Sequence, residues 1–488
     1  MRSLSANVEP FRNTVDIRIV LSVKGIETLT NVRLEPTSTK TLDEKSILKI
    51  AGLSLIGASA EWFDFFLFGT AAALVFPKVF FPADDPALAV LLSFATLGVG
   101  FVARPLGGAL WGHFGDKFGR KRAFLAALMT MAVASVMVGL LPTYAAIGIA
   151  APILLCVLRL AQGIAVGGQW GGAVLLATEH APEKKRGYYG SFAQMGVPIG
   201  LILGVCAYFG LSTLMEDAAF LSYGWRIPFI LSVLLVAVTI YAKAKLEDTP
   251  EFKELQKQVP SESGEIKSSR SPVLQVVRRY WLRILLAGGA VTVANASFYV
   301  YVTFLLDYGT RTLHMSTSTV LTAIAIGGLV TLPCLPIFAA VSDRFGRRGI
   351  YMAGAICTAL WAFPLFALAD TGTLWGYTIA LTGGLVAFAM MYGPLAAFFA
   401  ELFTAELRYS GASLSYQLGA LLGGAVSPII AVSLLEETGS TASISIYIIV
   451  MSVVAVGCVV ALKGAVDNPA DQTDRLSHEI TSKERGKL

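Results

Sequence analysis

Apolar runs about as long as a bilayer is thick recur twelve times along this sequence, with polar joints between them. They cover about Lys49 to Val75, Ala87 to Trp111, Ala123 to Leu141, Ala146 to Ala177, Tyr188 to Thr213, Trp225 to Ala244, Leu282 to Leu306, Thr319 to Val341, Ile350 to Ala369, Leu374 to Phe399, Gly411 to Leu435 and Ser443 to Leu462. Roughly 20 mainly apolar residues cross the hydrocarbon core as a helix. Only helices or closed barrels satisfy their backbone groups there. The pattern predicts an all-α membrane protein with twelve transmembrane helices.

The joints alternate in charge. Lys117, Arg120, Lys121 and Arg122 follow the second run, and Lys184, Lys185 and Arg186 follow the fourth. A long polar stretch with many Lys and Arg follows the sixth; Arg344, Arg347 and Arg348 follow the eighth, and Arg408 the tenth. The other joints carry few cations and several acids, among them Asp84, Asp85, Glu216, Asp370 and Glu436. Cationic loops stay in the cytoplasm. Both termini and the long central loop are therefore expected there, with the chain multi-pass in a bacterial inner membrane. The expected divisions are a polar cytosolic tail over 1–46, a six-helix bundle over 47–245, a cytosolic linker over 246–280, a second bundle over 281–463 and a cytosolic tail over 464–488.

The two halves echo each other. Gly112-His-Phe-Gly-Asp116-Lys-Phe-Gly119-Arg120-Lys121 after the second run matches Val341-Ser-Asp343-Arg-Phe-Gly346-Arg347-Arg348 after the eighth. Glu179 precedes Arg186 as Glu401 precedes Arg408, and Gln194-Met-Gly196 matches Gln417-Leu-Gly419. A common offset of about 220 to 230 residues fits a duplicated six-helix unit.

Composition narrows the function. Of 488 residues, 55% are hydrophobic and 15% charged, and mean hydropathy is +0.66. Soluble domains need roughly 25% charged residues. The net charge of +5 is spread over the joints and gathers in no patch, which argues against a nucleic-acid partner. The five cysteines lie inside apolar runs without metal-ligand spacing, and the four histidines form no zinc pattern with them. No phosphate-binding loop, zinc-protease or hydrolase motif is present, so neither an enzyme nor an ATP-driven pump is expected.

Charged residues inside the apolar runs are the informative ones. Glu61 and Asp64, spaced i,i+3, share one face of the first helix. A charge at membrane depth is costly and faces a wet, functional cavity, so the pair is the candidate proton-coupling site. Arg104 and Arg159 are the matching cations. An arginine fork grips a carboxylate with two hydrogen bonds, so either could hold an anionic substrate or exchange partners with Glu61 or Asp64. A permanent buried ion pair is the alternative. Gln162, Gln169, Gln194, Asn295, Tyr299 and Gln417 are candidate cavity polars, with interhelical hydrogen bonds as the alternative role. The glycine ladders Gly163, Gly167, Gly171 and Gly196, Gly200, Gly204 are read as close-packing surfaces.

Together these residues resemble the major facilitator superfamily. The Gly112–Lys121 loop and its echo carry its signature, and Glu61-Trp-Phe-Asp64-Phe, Arg104-Pro-Leu-Gly-Gly, Arg159-Leu-Ala-Gln-Gly, Gly224-Trp-Arg-Ile-Pro-Phe and Asp248-Thr-Pro resemble its metabolite:proton symporters. The resemblance implies two pseudo-symmetric six-helix bundles. It implies proton-coupled uptake of a small organic acid or zwitterion by a monomer, with the proton as coupling ion and no cofactor or metal. It also implies a cytosolic gate of Gly112, Asp116, Gly119, Arg120, Lys121, Glu179, Arg186, Asp343, Arg347, Arg348, Glu401 and Arg408. Two departures stand out: Gln169, where relatives usually have Glu, and Phe403-Thr-Ala-Glu-Leu-Arg408, where relatives often have Pro and a basic residue. Export or exchange of organic ions, or ligand sensing without turnover, are the alternative functions on this fold.

Overall fold

The computed structural model describes residues 15–23, 26–34, 44–82, 86–234, 237, 241, 272–405 and 407–466. Most of the expected linker and C-terminal tail, the Asp248-Thr-Pro motif and Glu406 lie outside the described residues. The chain divides into the unit Met1–Glu44 and the unit Lys45–Leu488.

The first unit holds an antiparallel pair of strands, β1 (Val15–Val23) and β2 (Ile26–Leu34), with Val15 opposite Leu34 and Val23 opposite Ile26. The alternation Val15, Ile17, Ile19, Leu21, Val23 is the period-two signal of a strand. It lies within the segment expected only to be a polar tail.

The second unit is helical. Its main helices are α1 (Glu44–Leu74), α2 (Pro86–Phe118), α3 (Arg120–Leu140), α4 (Ala150–Glu179), α5 (Arg186–Gln194, continuing as Gly196–Leu214), α6 (opening with Arg226–Leu231), α7 (Pro272–Tyr299), α8 (Thr317–Phe345), α9 (Arg347–Ala369), α10 (Leu374–Leu402), α11 (Arg408–Ala420, continuing as Ser427–Thr438) and α12 (Ala442–Val466). Among the described residues ten are long and apolar enough to cross a membrane. α2 and the start of α6 occupy the two remaining expected positions. α7 begins inside the expected linker: Pro272 to Arg279 are already helical, and the helix bends at Tyr280 (φ −123°, ψ 20°) before the apolar run. The polar composition of Gln275, Arg278 and Arg279 hid this turn from a reading based on apolarity alone.

The usual inside-out rule of soluble proteins is reversed. Glu61, Asp64, Arg104 and Arg159 are buried, while Leu106, Leu214 and Leu360 are more than half exposed. Apolar side chains face outward because that surface meets lipid tails, and polar groups turn inward to find partners.

Packing follows the duplication. α2 lies along α4 and α8 along α10; α2 meets α11 across the two halves as α5 meets α8. Gly167 sets one of these approaches: a Cβ there would collide with the Arg104 carbonyl and the Gly108 amide of α2. Gly167→Val is expected to cost about 1–3 kcal/mol or more through overpacking, seen as a lower melting temperature of the purified protein.

Candidate functional site

Glu61, Asp64, Arg104 and Arg159, the buried charges inside the apolar runs of the first half, sort into two groups. The first lies wholly within the N-terminal bundle. Asp64 of α1 is fully buried; it accepts from Gln162 Nε2 of α4 at 2.9 Å and from Ser232 Oγ at 3.3 Å. Gln162 also donates to Ser135 Oγ of α3 at 2.9 Å and accepts from Arg159 Nη1 at 3.2 Å. The amide thus stands between carboxylate and guanidinium, and among the described residues Asp64 makes no ion pair within 4.0 Å. The Arg159 guanidinium lies 4.1 Å from the Phe68 ring centroid and 5.5 Å from that of Phe65. Ser135 and Ser232 were missed by sequence reasoning. Serines in apolar helices carry no signal until a fold puts them beside a charge.

The second group faces the junction of the halves. Arg104 of α2 lies 4.2 Å from the Phe101 centroid and 4.9 Å from that of Phe65. Glu61 and the Tyr299 hydroxyl of α7 sit in its field. Arg104 and Glu61 are both buried, yet no ion pair within 4.0 Å joins them. The Tyr299 hydroxyl is buried without a well-formed hydrogen bond. Phe65, Phe101 and Tyr299 pack edge to face, with centroids 5.6–6.1 Å apart. Aromatic faces can hold a guanidinium while leaving its N–H donors available.

Two glutamines tie the halves together. Gln194 Nε2 donates to the Tyr392 carbonyl at 2.9 Å, and its oxygen accepts from Trp170 Nε1 at 2.9 Å. Trp170 stacks on Tyr416 with centroids 4.0 Å apart and planes 5° from parallel, and the Tyr416 and Tyr392 hydroxyls are 2.9 Å apart. Gln417 Nε2 donates to the Gly167 carbonyl at 3.3 Å. Asn295 donates along its own helix to the Val291 carbonyl at 3.2 Å, and Gln169 to the Ala127 carbonyl of α3 at 3.1 Å. The Gln169 and Gln417 oxygens are buried without partners among the described residues.

On the cationic side the gate residues form crossed contacts. Gly119 (φ 110°) and Gly346 (φ 94°) end α2 and α8 in the positive-φ region that glycine allows. Asp116 accepts from the Tyr409 and Ser410 amides at 3.3 and 3.0 Å and from Ser410 Oγ at 2.6 Å. Asp343 accepts from the Gly187 and Tyr188 amides at 2.8 and 2.9 Å. Each aspartate therefore caps the first turn of a helix in the opposite half, α11 or α5, where unpaired amides and the helix dipole favour an anion. Gly112 admits the approach, since a Cβ there would meet Ser410. The backbone amides of α5 and α11 escaped sequence reasoning because a cap supplied from about 150 to 290 residues away has no local spacing.

Charge pairs flank each cap. Glu179 sits 3.1 Å from Arg408 Nη1 of the other half and 3.5 Å from Arg120 Nε, with its side chain 1% exposed. Arg120 also reaches Asp116 at 3.6 Å and the Ala405 carbonyl. In the second half Arg347 meets Asp343 at 2.9 Å and Glu401 at 3.1 Å, but the Glu401 side chain is 42% exposed. Arg186 and Arg348 lie in the field of Glu401. Lys121 is partly exposed at the start of α3.

Comparisons with known proteins agree with this architecture. The family described as "Sugar (and other) transporter" matches residues 52–467. The chain is 38% identical to the inner membrane metabolite transport protein YhjE of Escherichia coli (strain K12), covering 83% of this chain and 91% of that one. It is 37% identical to the shikimate transporter of the same strain (85% and 92% covered) and 31% identical to its proline/betaine transporter (88% and 86%). The structure of the major facilitator superfamily proton:xylose symporter XylE shares the fold, with a TM-score of 0.65, 17% identity and coverage of 86% and 96%. The chain is a membrane transporter, not an enzyme; it belongs to the sugar (and other) transporter family and has the major facilitator fold.

Proposed function

We propose that the protein is a proton-coupled symporter that takes up a small organic acid or zwitterionic metabolite by alternating access. It would act as a single chain in a bacterial inner membrane with both termini in the cytoplasm. The observation that carries this reading is the pair of separated opposite charges at the centre of the fold. Asp64 is kept from Arg159 by Gln162, and Glu61 is out of ion-pair reach of Arg104. Charges so buried and not directly paired are costly. A proton on an acid and a carboxylate on an arginine would each relieve that cost, which links the two binding events.

One proton carried with a monoanion moves no net charge, so the pH difference alone drives it. A zwitterion with one proton also draws on the membrane potential, about 2.3 kcal/mol per charge per 100 mV. The likeness to a shikimate transporter favours an acid and that to a proline/betaine transporter a zwitterion.

The test is a pH recording outside liposomes that contain the purified protein, with shikimate, proline, glycine betaine and succinate added in turn. Alkalinisation with one compound, absent in Glu61→Gln/Asp64→Asn, is the expected result. Exchange of labelled compound without any pH change would reject proton coupling in favour of an exchanger, and binding without exchange would point to a sensor.

A further inference from the structure

We propose that a second, uncharged barrier joins the halves beneath the ion pairs: a seam of Trp170, Gln194, Tyr392, Tyr409, Tyr416 and Gln417 that must part before the cationic side of the protein opens. The inference needs the halves to move apart, as the alternating-access reading above requires, but neither a proton nor a particular substrate.

The seam lies between the crossed caps and the central charges. Along α11, Tyr416 and Gln417 come two turns after the capped amides of Tyr409 and Ser410, about 10 Å further in at a rise of about 1.5 Å per residue. Along α4, Trp170 stands between Glu179 of the ion pairs and Gln162 of the Asp64 group, about 12–14 Å from each along the helix.

Its frame is a second crossed exchange. Gln194 and Gln417 hold matching places in the two halves. Gln194 of α5 donates its amide to the Tyr392 carbonyl of α10, and Gln417 of α11 donates to the Gly167 carbonyl of α4. A helix carbonyl has two lone pairs and spends one on its own helix; at a glycine no side chain shields the other. Tyr409 uses the next carbonyl, donating from its hydroxyl to Gly168 at 2.7 Å. Gly171 and Gly172 clear the same face of α4, since a Cβ on either would meet the Ser413 or Tyr409 side chain. The ladder Gly163, Gly167, Gly171 thus packs against its own bundle at one end and against the opposite half at the other.

Trp170 closes the seam. Its ring lies flat on Tyr416, its N–H donates to Gln194, and the Tyr416 and Tyr392 hydroxyls share a hydrogen bond. Trp170, Gln194, Tyr392 and Tyr416 therefore form a closed circuit of contacts with two members from each half. All six seam residues are buried, and Trp, Gln and Tyr carry no charge near neutral pH. The two layers act over different ranges. Coulomb attraction between the outer ion pairs falls off slowly as a gap opens. A hydrogen bond weakens steeply with distance and angle, and stacked rings attract only in contact. The ion pairs can draw the halves together, but only full closure completes the seam.

The test uses the purified full-length protein in detergent, with its five cysteines replaced by alanine and Ser413→Cys as reporter. Ser413 is buried against Gly171 of α4, so a water-soluble maleimide reaches it only when the seam parts. Gln194→Met keeps the length of the side chain and removes its hydrogen bonds; Tyr409→Phe removes one hydroxyl. Each is expected to speed labelling about 2–10-fold, the net share of a hydrogen bond. Gln194→Met and Trp170→Phe break the same bond, so the double variant should gain less than the product of the single effects. Gln194→Met with Glu179→Gln, a layer away and without a shared partner, should give the product. Ser452→Cys, buried in α12 of the second half, is the control and should label no faster in any seam variant. Labelling that Glu179→Gln speeds but neither seam variant changes would overturn the inference and leave alternating access in place. No labelling in any variant, Glu179→Gln included, would overturn both. Equal acceleration at Ser413→Cys and Ser452→Cys would mark a general loosening and also overturn the seam.

Discussion

Asp64→Asn is expected to abolish uphill uptake while leaving downhill exchange of the same substrate. Asparagine keeps the shape of the side chain: its oxygen can accept from Gln162 Nε2, which lies 2.9 Å from one Asp64 oxygen, and its amide can donate to Ser232 Oγ, which lies 3.3 Å from the other. The bundle should therefore fold. What is lost is a group that can take and release a proton. A symporter coupled to one proton accumulates its substrate up to about tenfold per unit of pH difference, because one unit is worth about 1.4 kcal/mol. In liposomes with an imposed pH step, the variant should only equilibrate its substrate. Accumulation at the unaltered level would assign coupling elsewhere, with Glu61 as the remaining membrane-embedded acid at the centre.

The second large effect concerns the crossed contacts on the cationic face, which on the proposed function form the cytosolic latch, and it is asymmetric. Glu179→Gln removes a carboxylate that is 1% exposed and lies between Arg120 and Arg408. Removing one member of a buried charge pair costs roughly 3–5 kcal/mol, and here the loss falls on the buried Arg120 and the partly buried Arg408. The closed state should lose roughly 100-fold or more in population relative to the open one. Glu401→Gln removes the matching carboxylate of the second half, 42% exposed, and an exposed pair is worth about 0–1 kcal/mol. The readout is labelling of Ser413→Cys, which is buried where α11 meets Gly171 of α4, by an impermeant maleimide from the cytosolic side. Fast labelling in Glu179→Gln and near-normal labelling in Glu401→Gln is the expected pair of results. Equal rates in the two variants would show that burial does not set the strength of the latch.

The fold was legible because a bilayer imposes length and hydropathy on every span, and the duplication repeats the evidence. The acids and arginines of the centre were legible for the same reason: Glu61, Asp64, Arg104 and Arg159 interrupt apolar runs. The sequence did not reveal how they divide. An i,i+3 pair such as Glu61 and Asp64 looks like one site, yet one helical turn separates a carboxylate enclosed by its own bundle from one facing the other half. Gln162 was visible as a polar residue, but not as the amide held between Asp64 and Arg159. Trp170 and Tyr416 carried no signal, since an aromatic in an apolar helix is ordinary until its partner arrives from the opposite bundle. The strands over 15–34 were missed because charge, not periodicity, was read there.

The crossed caps bear on the origin of the protein. Asp116 belongs to one half and the helix it caps to the other, and Asp343 returns the same contact in the opposite direction. Each half therefore carries both a plug and a socket. A surface that holds both is self-complementary, which is the condition for a closed two-fold pair of identical subunits. An ancestral six-helix chain with these two features could assemble with its own copy, and joining two such genes end to end would preserve every latch contact without inventing one. The later divergence, a dry Glu179 against a wet Glu401, is then a change that only a fused chain permits, because in a symmetric pair both glutamates share the same surroundings.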